Sequence, residues 1–473
     1  MPKPAFIPTA RQRGRQRFSV AEIVRFRRGG LYLMAVIIGI LAGLGAVAFR
    51  YGIHSWEYLL TGQQDATLPI ADDPKEAFEL TGILAPLGRW GLIIAPVISA
   101  VIYAPLMYFF GASECGRGVA GVMYSVRKNY GRVKFTPAAT TTAASALTIG
   151  GGGNVGPEGP ISELGGAIGH AVSTWFHAPR TTARLLTATG VAAGVSAAFN
   201  APLAGAFFAM EVILLDFTSE TFVCVVIACV AATMTNKQFV GDSLSFTLHQ
   251  DLTLARDTDL GWVIVLAVIG GIVGVAFSKI RYLAEDAVDH IWRGPVWLRP
   301  ILGSIILGAV LFAVPAAYGE GDAVLNGALR GELALQLVLI LFAVKFIATA
   351  LTVAIGGVGG TFAPSLFIGG MLGAIFGAIV EPSNAYAMAI FGMIGMGAVF
   401  TGAARAPMTG VLLIMELTGQ FRLLLPLMLA VVIATGIARL LSETTIYTEA
   451  LARRGVDPVP PPPVAYRAHT QPS

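Results

Sequence analysis

Two glycine-rich breaks, each ending in a proline, interrupt long uncharged stretches of this sequence. The first covers residues 150–160 and contains one ionisable side chain, Glu158, and the second covers 356–364. A proline just inside a helix start costs nothing, because the N–H that it lacks has no partner there. The free N–H groups of such a start attract negative charge. We therefore predict an anion site between the two breaks. Ordinary close packing of helices is the alternative, although packing alone requires only small residues.

Glu158 is the candidate gate of this site. A carboxylate inside an apolar region is costly enough to be functional by default. The N–H groups expected to hold Glu158 are those expected to hold an anion, so the two compete for one place. Protonation neutralises Glu158 and vacates that place, and we therefore expect anion passage to depend on pH. The alternative is that Glu158 only caps its own helix.

Outside the two breaks, the sequence contains an internal repeat. The pattern A-P-x-x-G-x-x-x-x-M-E occurs at 201–211 and again at 406–416, and the glycines and the proline of 156–169 recur at 360–373. Two patterns that recur at nearly the same spacing predict two homologous halves. Repeated membrane halves place their substrate at the interface between them, held by the ends of broken helices.

Glu211 and Glu416 end the repeated pattern in the two halves. We interpret both as structural polar contacts at helix ends, with an ion-relay role as the alternative. Lys345 lies in an apolar helix, where it is either an electrostatic aid to anions or a paired structural lysine.

The composition excludes a soluble protein. Of 473 residues, 55% are hydrophobic and 13% are charged, against roughly 25% charged in soluble domains, and the mean hydropathy is +0.71. We predict an all-α multi-pass membrane protein. Uncharged stretches near the roughly 20 residues that cross a bilayer lie at 31–49, 91–113, 135–157, 185–210, 260–278, 300–319, 346–380, 382–404 and 423–438.

Two of the apolar stretches have the wrong length for a simple span. The stretch 346–380 is far too long for one helix and contains the second break, so it should form two helices that meet at a non-helical turn. The stretch 221–236 is short. Broken and short helices at membrane depth are tolerated only where they are buried in protein or line a cavity, which is typical of a transporter or channel core.

The chain divides into four segments, which are a basic N-terminal segment (1–29), the two membrane halves (30–250 and 258–450) and a proline-rich tail (451–473). The N-terminal segment carries eight basic residues and one acid. Next to a membrane span, such a segment stays in the cytoplasm; nucleic-acid binding is the alternative and is not favoured. The acidic stretch 65–79 suits an external loop. We predict a protein of the cell membrane with both termini cytoplasmic.

The sequence carries no pattern for metal or cofactor chemistry. Its three cysteines and six histidines have no metal-ligand spacing. Neither glycine-rich break continues as a phosphate-binding loop, and no nucleophile is paired with a base. We predict no cofactor, no metal, no enzymatic activity and no nucleic-acid partner.

The motifs resemble those of the CLC chloride channels and chloride/proton antiporters. Residues 156–160 (GPEGP) are similar to the family's G-K/R-E-G-P, and residues 360–364 (GTFAP) match its G-x-F-x-P; residues 200–205 and 446–447 also agree. The resemblance implies the CLC fold, with two inverted repeats of tilted and broken helices, and a homodimer with one pore per subunit.

The same resemblance implies the roles of individual residues. Glu158 is the gating glutamate, and Gly159, Thr361 and Phe362 border the anion with their backbone. Tyr447 offers the anion its hydroxyl.

Three departures from the family pattern affect the expected function. Arg117 stands where the family has a serine hydroxyl at the central site, so we expect it to enter the pathway and to favour planar oxyanions. The alternatives are that Arg117 points towards the cytoplasm or pairs with Glu114. Pro157 replaces a basic residue. Val212 stands where antiporters carry an internal carboxylate, so proton coupling is expected to be weak or absent.

The leading hypothesis is therefore transmembrane permeation of a chloride-type anion, channel-like or weakly coupled to protons. The alternatives are a chloride/proton antiporter and a transporter of another anion such as bicarbonate or nitrate. The expected partners are a small anion, the lipid bilayer, a second copy of the chain and, in the coupled case, protons.

Overall fold

The computed structural model describes residues 28–62, 80–111, 113, 116–241, 246, 252–254 and 259–456. These residues form an almost purely helical protein. No strand occurs among them, and the one β-type contact is an isolated antiparallel bridge between Gly156 and Gly360. The sequence predicts an all-α fold, and the structure confirms it.

Seventeen α-helices occur in the described residues. Those of the first half are α1 (Arg28–Thr61), α2 (Gly91–Phe110), α3 (Gly118–Lys128), α4 (Phe135–Gly150), α5 (Glu158–Trp175), α6 (Arg180–Phe199), α7 (Pro202–Phe208) and α8 (Ser219–Val240). Those of the second half are α9 (Asp259–Ile291), α10 (Leu298–Ala313), α11 (Asp322–Leu329), α12 (Leu335–Ala354), α13 (Phe362–Val380), α14 (Ala387–Ala404), α15 (Pro407–Thr418), α16 (Leu424–Leu441) and α17 (Thr448–Ala452).

Eight helices in the described residues are long and apolar enough to cross a membrane. They are α1, α2 with the turn before it, α8, α9, α12, α13, α14 and α16 with the turn before it. This number confirms a multi-pass membrane protein. The long stretch 346–380 is indeed two helices, because α12 ends at Ala354 and α13 begins at Phe362.

Three predicted stretches differ from the helices observed. The stretch 221–236, predicted to be short, belongs to the 22-residue helix α8, because the polar residues on either side continue the helix and the Thr218 side chain accepts the N–H of Thr221. The stretch 135–157 is helical only to Gly150. The stretch 185–210 is not one span, since Asn200 takes a left-handed conformation (φ 52°) and Pro202 opens a new helix.

Small residues bring α5 against α6 and α13 against α14. A side chain on Gly165 would overlap the carbonyl of Gly190, and a side chain on Gly369 would overlap the carbonyl of Gly395. Membrane helices rely on such close backbone contact. The two helix pairs occupy equivalent positions in the two sequence repeats, and a glycine-rich break lies at the start of the first helix of each pair.

Several predictions lie outside the described residues. They concern the basic segment 1–27, the acidic loop 65–79, Glu114 and the tail 457–473. The domain boundaries and the cytoplasmic position of both termini accordingly stay predictions.

Candidate functional site

The two glycine-rich breaks lie against each other in the middle of the protein. The N–H of Gly156 donates to the carbonyl of Gly360 (2.8 Å), and the N–H of Gly360 donates to the carbonyl of Gly156 (2.7 Å). This pair of hydrogen bonds brings the start of α5 beside the start of α13. Both helix starts therefore face one small region between the two halves.

The side chain of Glu158 fills this region and is fully buried. Its Oε1 accepts a hydrogen bond from the N–H of Phe362, the first residue of α13, and its Oε2 is buried without a hydrogen-bond partner. A side chain on either Gly156 or Gly360 would overlap the carboxylate. The carboxylate thus lies in a backbone cradle and occupies a helix start that suits an anion.

Tyr447 contributes a second unpaired polar group. Its hydroxyl is buried without a hydrogen-bond partner, and its ring packs edge-on against Phe208 with the centroids 6.1 Å apart. Phe208 in turn packs against Phe362 at 6.0 Å. Buried hydroxyl groups in native proteins nearly always have a partner, so a hydroxyl donor without one fits a bound acceptor such as an anion.

Gly159 and Thr361 border the same region. A β-carbon on Gly159 would lie 3.3 Å from the Cα of Gly360, and one on Gly118 would lie 3.6 Å from the Cα of Gly159. The starts of α3, α5 and α13 therefore converge at Gly159. Thr361 immediately precedes α13, and its side chain makes no capping hydrogen bond.

A cavity of about 1150 Å³ opens onto the convergence of these helix starts, and we call it the vestibule. Gly118, Pro160 and Gly359 are among the residues that line it. Its basic lining residues are Arg117, Lys134, Arg281, Arg299, Arg453 and Arg454, and its acidic ones are Glu285 and Asp289. An excess of one charge in a cleft raises the local concentration of the opposite ion, so the vestibule attracts anions.

Arg117 is exposed and lines the vestibule. It immediately precedes α3, and the charges that act on it are those of Glu163 and Arg454. The structure thus places five of the six predicted site residues together around the two breaks, and Arg117 at the wall of the vestibule.

The geometry agrees with a comparison against known proteins. A family model described as voltage gated chloride channel matches residues 98–439 of this chain. The chain belongs to this family, the CLC family.

The CLC relatives include exchangers. The H(+)/Cl(-) exchange transporter ClcA of Vibrio parahaemolyticus is 30% identical over 434 residues, which are 89% of each chain. The ClcA of Cronobacter sakazakii is 30% identical over 467 residues, 94% of this chain and 95% of the relative. The crystal structure of a slow cyanobacterial Cl-/H+ antiporter matches with a TM-score of 0.79 and 25% identity, over 90% of this chain and 98% of that one. A CLC-type fluoride/proton antiporter shares the fold, with a TM-score of 0.71 and 21% identity, over 91% of this chain and 98% of that one.

The CLC fold gives Glu211 and Glu416 reciprocal structural partners. Glu416 accepts the N–H groups of Leu203 (3.0 Å) and Ala204 (2.8 Å) at the start of α7. Glu211 accepts those of Met408 (3.2 Å) and Thr409 (2.9 Å) at the start of α15. Each half therefore caps a helix of the other half, which confirms that both residues make structural contacts at helix ends.

Lys345 also has structural partners in this CLC protein. Its Nζ donates to the carbonyls of Gly319 and Glu320, both at 2.7 Å, and lies 4.7 Å from the ring centroid of Phe367. These contacts favour the structural interpretation of the lysine. In the part of the chain that is described, no three His, Cys, Asp or Glu side chains come together as metal ligands.

One carboxylate near the site escaped the sequence analysis. Glu163 is buried, with 2% of its surface exposed, and its Oε2 accepts the N–H of Gly118 at the start of α3 (2.9 Å). The available signal was a second acid in the same apolar, glycine-rich helix, five residues after Glu158.

Proposed function

We propose that this CLC protein exchanges a chloride-type anion for protons, with Glu158 as both the gate and the proton carrier. The observation that carries the proposal is the position of the Glu158 carboxylate. One oxygen holds the N–H of Phe362, where an anion would bind, and the other oxygen is unpaired. Glu158 and an anion then exclude each other.

Protonation of Glu158 is the step that couples the two ions. A hydrogen bond to an ionised acceptor is roughly twice as strong as one to a neutral acceptor, so protonated Glu158 releases the N–H of Phe362. An anion then binds this N–H, with the backbone of Gly159 and Thr361 at its border and the Tyr447 hydroxyl as a further donor. When the anion leaves, Glu158 gives up its proton and returns to the N–H.

Two observations support exchange over simple permeation. The relatives at 30% identity are named H(+)/Cl(-) exchange transporters, and the solved structure with the TM-score of 0.79 is titled an antiporter. Channel-like or weakly coupled permeation is the second candidate, and Val212 favours it because a valine cannot carry a proton. Bicarbonate or nitrate transport is less favoured, because Arg117 lines the vestibule and Tyr447 does not.

The proposal includes the setting of the protein. We propose a homodimer in the cell membrane with both termini cytoplasmic, supported by the CLC family membership and by the basic segment before α1. Members of this family are channels and transporters, which supports the absence of enzymatic activity.

Flux through liposomes tests the exchange. With the purified protein in liposomes, an outward chloride gradient should drive protons against their own gradient, recorded as a pH change. Glu158→Gln should abolish the proton movement and keep chloride flux, with its pH dependence flattened.

Tyr447→Phe should keep the fold and weaken anion binding about tenfold or more, as expected for a lost hydrogen bond to a charged group of about 1.5–3 kcal/mol. Rapid chloride flux without proton movement in the native protein would instead support the channel.

A further inference from the structure

The carboxylate of Glu163 makes the same kind of contact as the carboxylate of Glu158. Both carboxylates lie on α5 and are buried, and both accept the N–H of a residue that begins another helix. Glu158 holds the start of α13, and Glu163 holds the start of α3. Five residues of an α-helix separate them, a rise of about 7.5 Å.

The groups around the Glu163 carboxylate border the vestibule. Gly118, its hydrogen-bond partner, lines the vestibule, as do Thr141 and Pro160. Water in the vestibule therefore reaches the groups that directly surround the Glu163 carboxylate. The groups that contact the Glu158 carboxylate, which are Gly156, Gly360 and the N–H of Phe362, are not among the residues that line the vestibule.

The charges near Glu163 come from two segments. Arg117 acts on it from the start of α3, and Arg454, from the C-terminal segment, acts on Arg117. On α4, the neighbour of the Glu163 carboxylate is the Thr141 hydroxyl. Glu57 of α1 packs beside Gly150, at the C-terminal end of α4.

The helices α6 and α13 also pack on α5. The buried residues of α6 are all non-ionisable, and the first turn of α13 carries no acid. A carboxylate that faces Arg117 and has vestibule-lining neighbours can exchange protons with the vestibule.

Buried hydroxyl groups lie on α4 and α5, the two helices that carry Thr141 and the two glutamates. The hydroxyls of Ser145 and Ser162 are buried and have no hydrogen-bond partner, and the Thr141 hydroxyl faces the Glu163 carboxylate. Thr141 and Ser145 are one turn apart on the same face of α4, and α4 packs on α5, where the Thr142 hydroxyl donates to the Pro160 carbonyl (3.3 Å). Orphaned polar groups of this kind are satisfied by water, and such water carries protons.

We propose that Glu163 is the internal proton acceptor of this protein, on a different helix from Val212. A proton from vestibule water binds the Glu163 carboxylate, which then releases the N–H of Gly118. The proton passes over the hydroxyls and their water to Oε2 of Glu158, and Glu163 returns to its ionised form. The inference rests on the proposed proton exchange and names the residue that supplies its protons.

The test is Glu163→Gln in the liposome assay. The glutamine oxygen still accepts the N–H of Gly118, so α3 keeps its cap, while the titration and the negative charge that faces Arg117 are lost. We expect proton movement to fall at least tenfold while chloride flux stays within about threefold of the native rate. Glu416→Gln is the matched control, because Glu416 also caps a helix start, and it should leave both fluxes unchanged. Glu211→Gln tests the rival acceptor and should also leave proton movement intact.

The outcomes separate the inference from the proposed function. A native protein without proton movement contradicts both. Two results would overturn only the role of Glu163, provided that the native protein exchanges protons. One is proton movement in Glu163→Gln as fast as in the native protein, and the other is a loss of proton movement in Glu211→Gln alone. If Glu163→Gln does not reconstitute, Ser145→Ala decides, since the Ser145 hydroxyl has no partner to lose: slower proton movement supports the route and a native rate refutes it.

Discussion

The two oxygens of Glu158 have unequal surroundings, and backbone geometry causes the difference. Oε1 accepts the N–H of Phe362, while Oε2 lies against Gly156 without a hydrogen bond. A buried acceptor without a partner costs about 1–3 kcal/mol, and protonation of Oε2 would change this free-energy cost. The glycines at 156 and 360 are required because any side chain there would overlap the carboxylate.

Gly360→Ala tests the cradle without touching the glutamate itself. The new methyl group would overlap Oε1 of Glu158, so the carboxylate should leave the N–H of Phe362 and anion efflux should lose most of its pH dependence. Gly436→Ala is the control, because a β-carbon there meets nothing within 4 Å. Measurement of chloride efflux between acid and neutral pH decides the matter, and an unchanged profile in Gly360→Ala would exclude the cradle from gating.

At the scale of helices, the repeated pattern that ends in Glu211 and Glu416 joins the two halves. Each carboxylate accepts two N–H groups at a helix start in the other half. Helix starts leave their first N–H groups unsatisfied, so these contacts fix α7 against α15. A separate pair of backbone hydrogen bonds, between Gly156 and Gly360, joins the two breaks.

Loss of one reciprocal cap should destabilise the protein. In Glu416→Ala the N–H groups of Leu203 and Ala204 lose their acceptor, which should lower the free energy of unfolding by about 1–3 kcal/mol. Glu416→Gln keeps an acceptor oxygen and should recover part of the loss. Thermal unfolding in detergent measures both variants. Equal melting temperatures for the alanine variant and the native protein would show that the cap contributes nothing.

Some of these elements could be predicted from the sequence and others could not, for physical reasons. Glycine, proline and the intramembrane acid identified both breaks and Glu158, because few other structures require those residue types together. The partners of Glu211 and Glu416 were not predictable, since they lie in the other half of the chain. Glu163 was missed because a single acid in a helix carries no local signal of what it contacts. The turn at Asn200 was missed because the uncharged stretch continues through it.

At the scale of the whole molecule, the C-terminal segment holds Tyr447 in the centre. Arg453 donates to Asp286 of α9 (2.5 and 2.9 Å) and to Glu449 (3.0 Å). The Tyr282 hydroxyl, also on α9, donates to the carbonyl of Ile446 (2.8 Å). These contacts tie the residues around Tyr447 to a membrane-spanning helix.

This attachment should weaken in acid. The Thr444 hydroxyl and then the Arg453 guanidinium hold the pKa of Glu449 below its ordinary value of 4.5. A lowered folded-state pKa gives a stabilisation that is present above the ordinary value and lost as the pH falls through the lowered one. Glu449→Gln should therefore reduce the melting temperature at neutral pH and lose less stability than the native protein below about pH 4.5. Parallel acid-induced losses in the two proteins would contradict the role of Glu449.

The charge of the vestibule predicts how the molecule gathers anions. Arg117 lies at its wall, where its field draws anions towards the start of α3. Fields of exposed charges are screened within about 10 Å at 0.1 M salt and about 3 Å at 1 M. Arg117→Ser should therefore slow anion flux several-fold at low ionic strength and little at high ionic strength, with the ranking of chloride, nitrate and bicarbonate unchanged. Arg439→Ser removes the same charge from an exposed site outside the vestibule and should leave flux at its native rate. A changed ranking in Arg117→Ser would instead mean that the guanidinium contacts the anion inside the site.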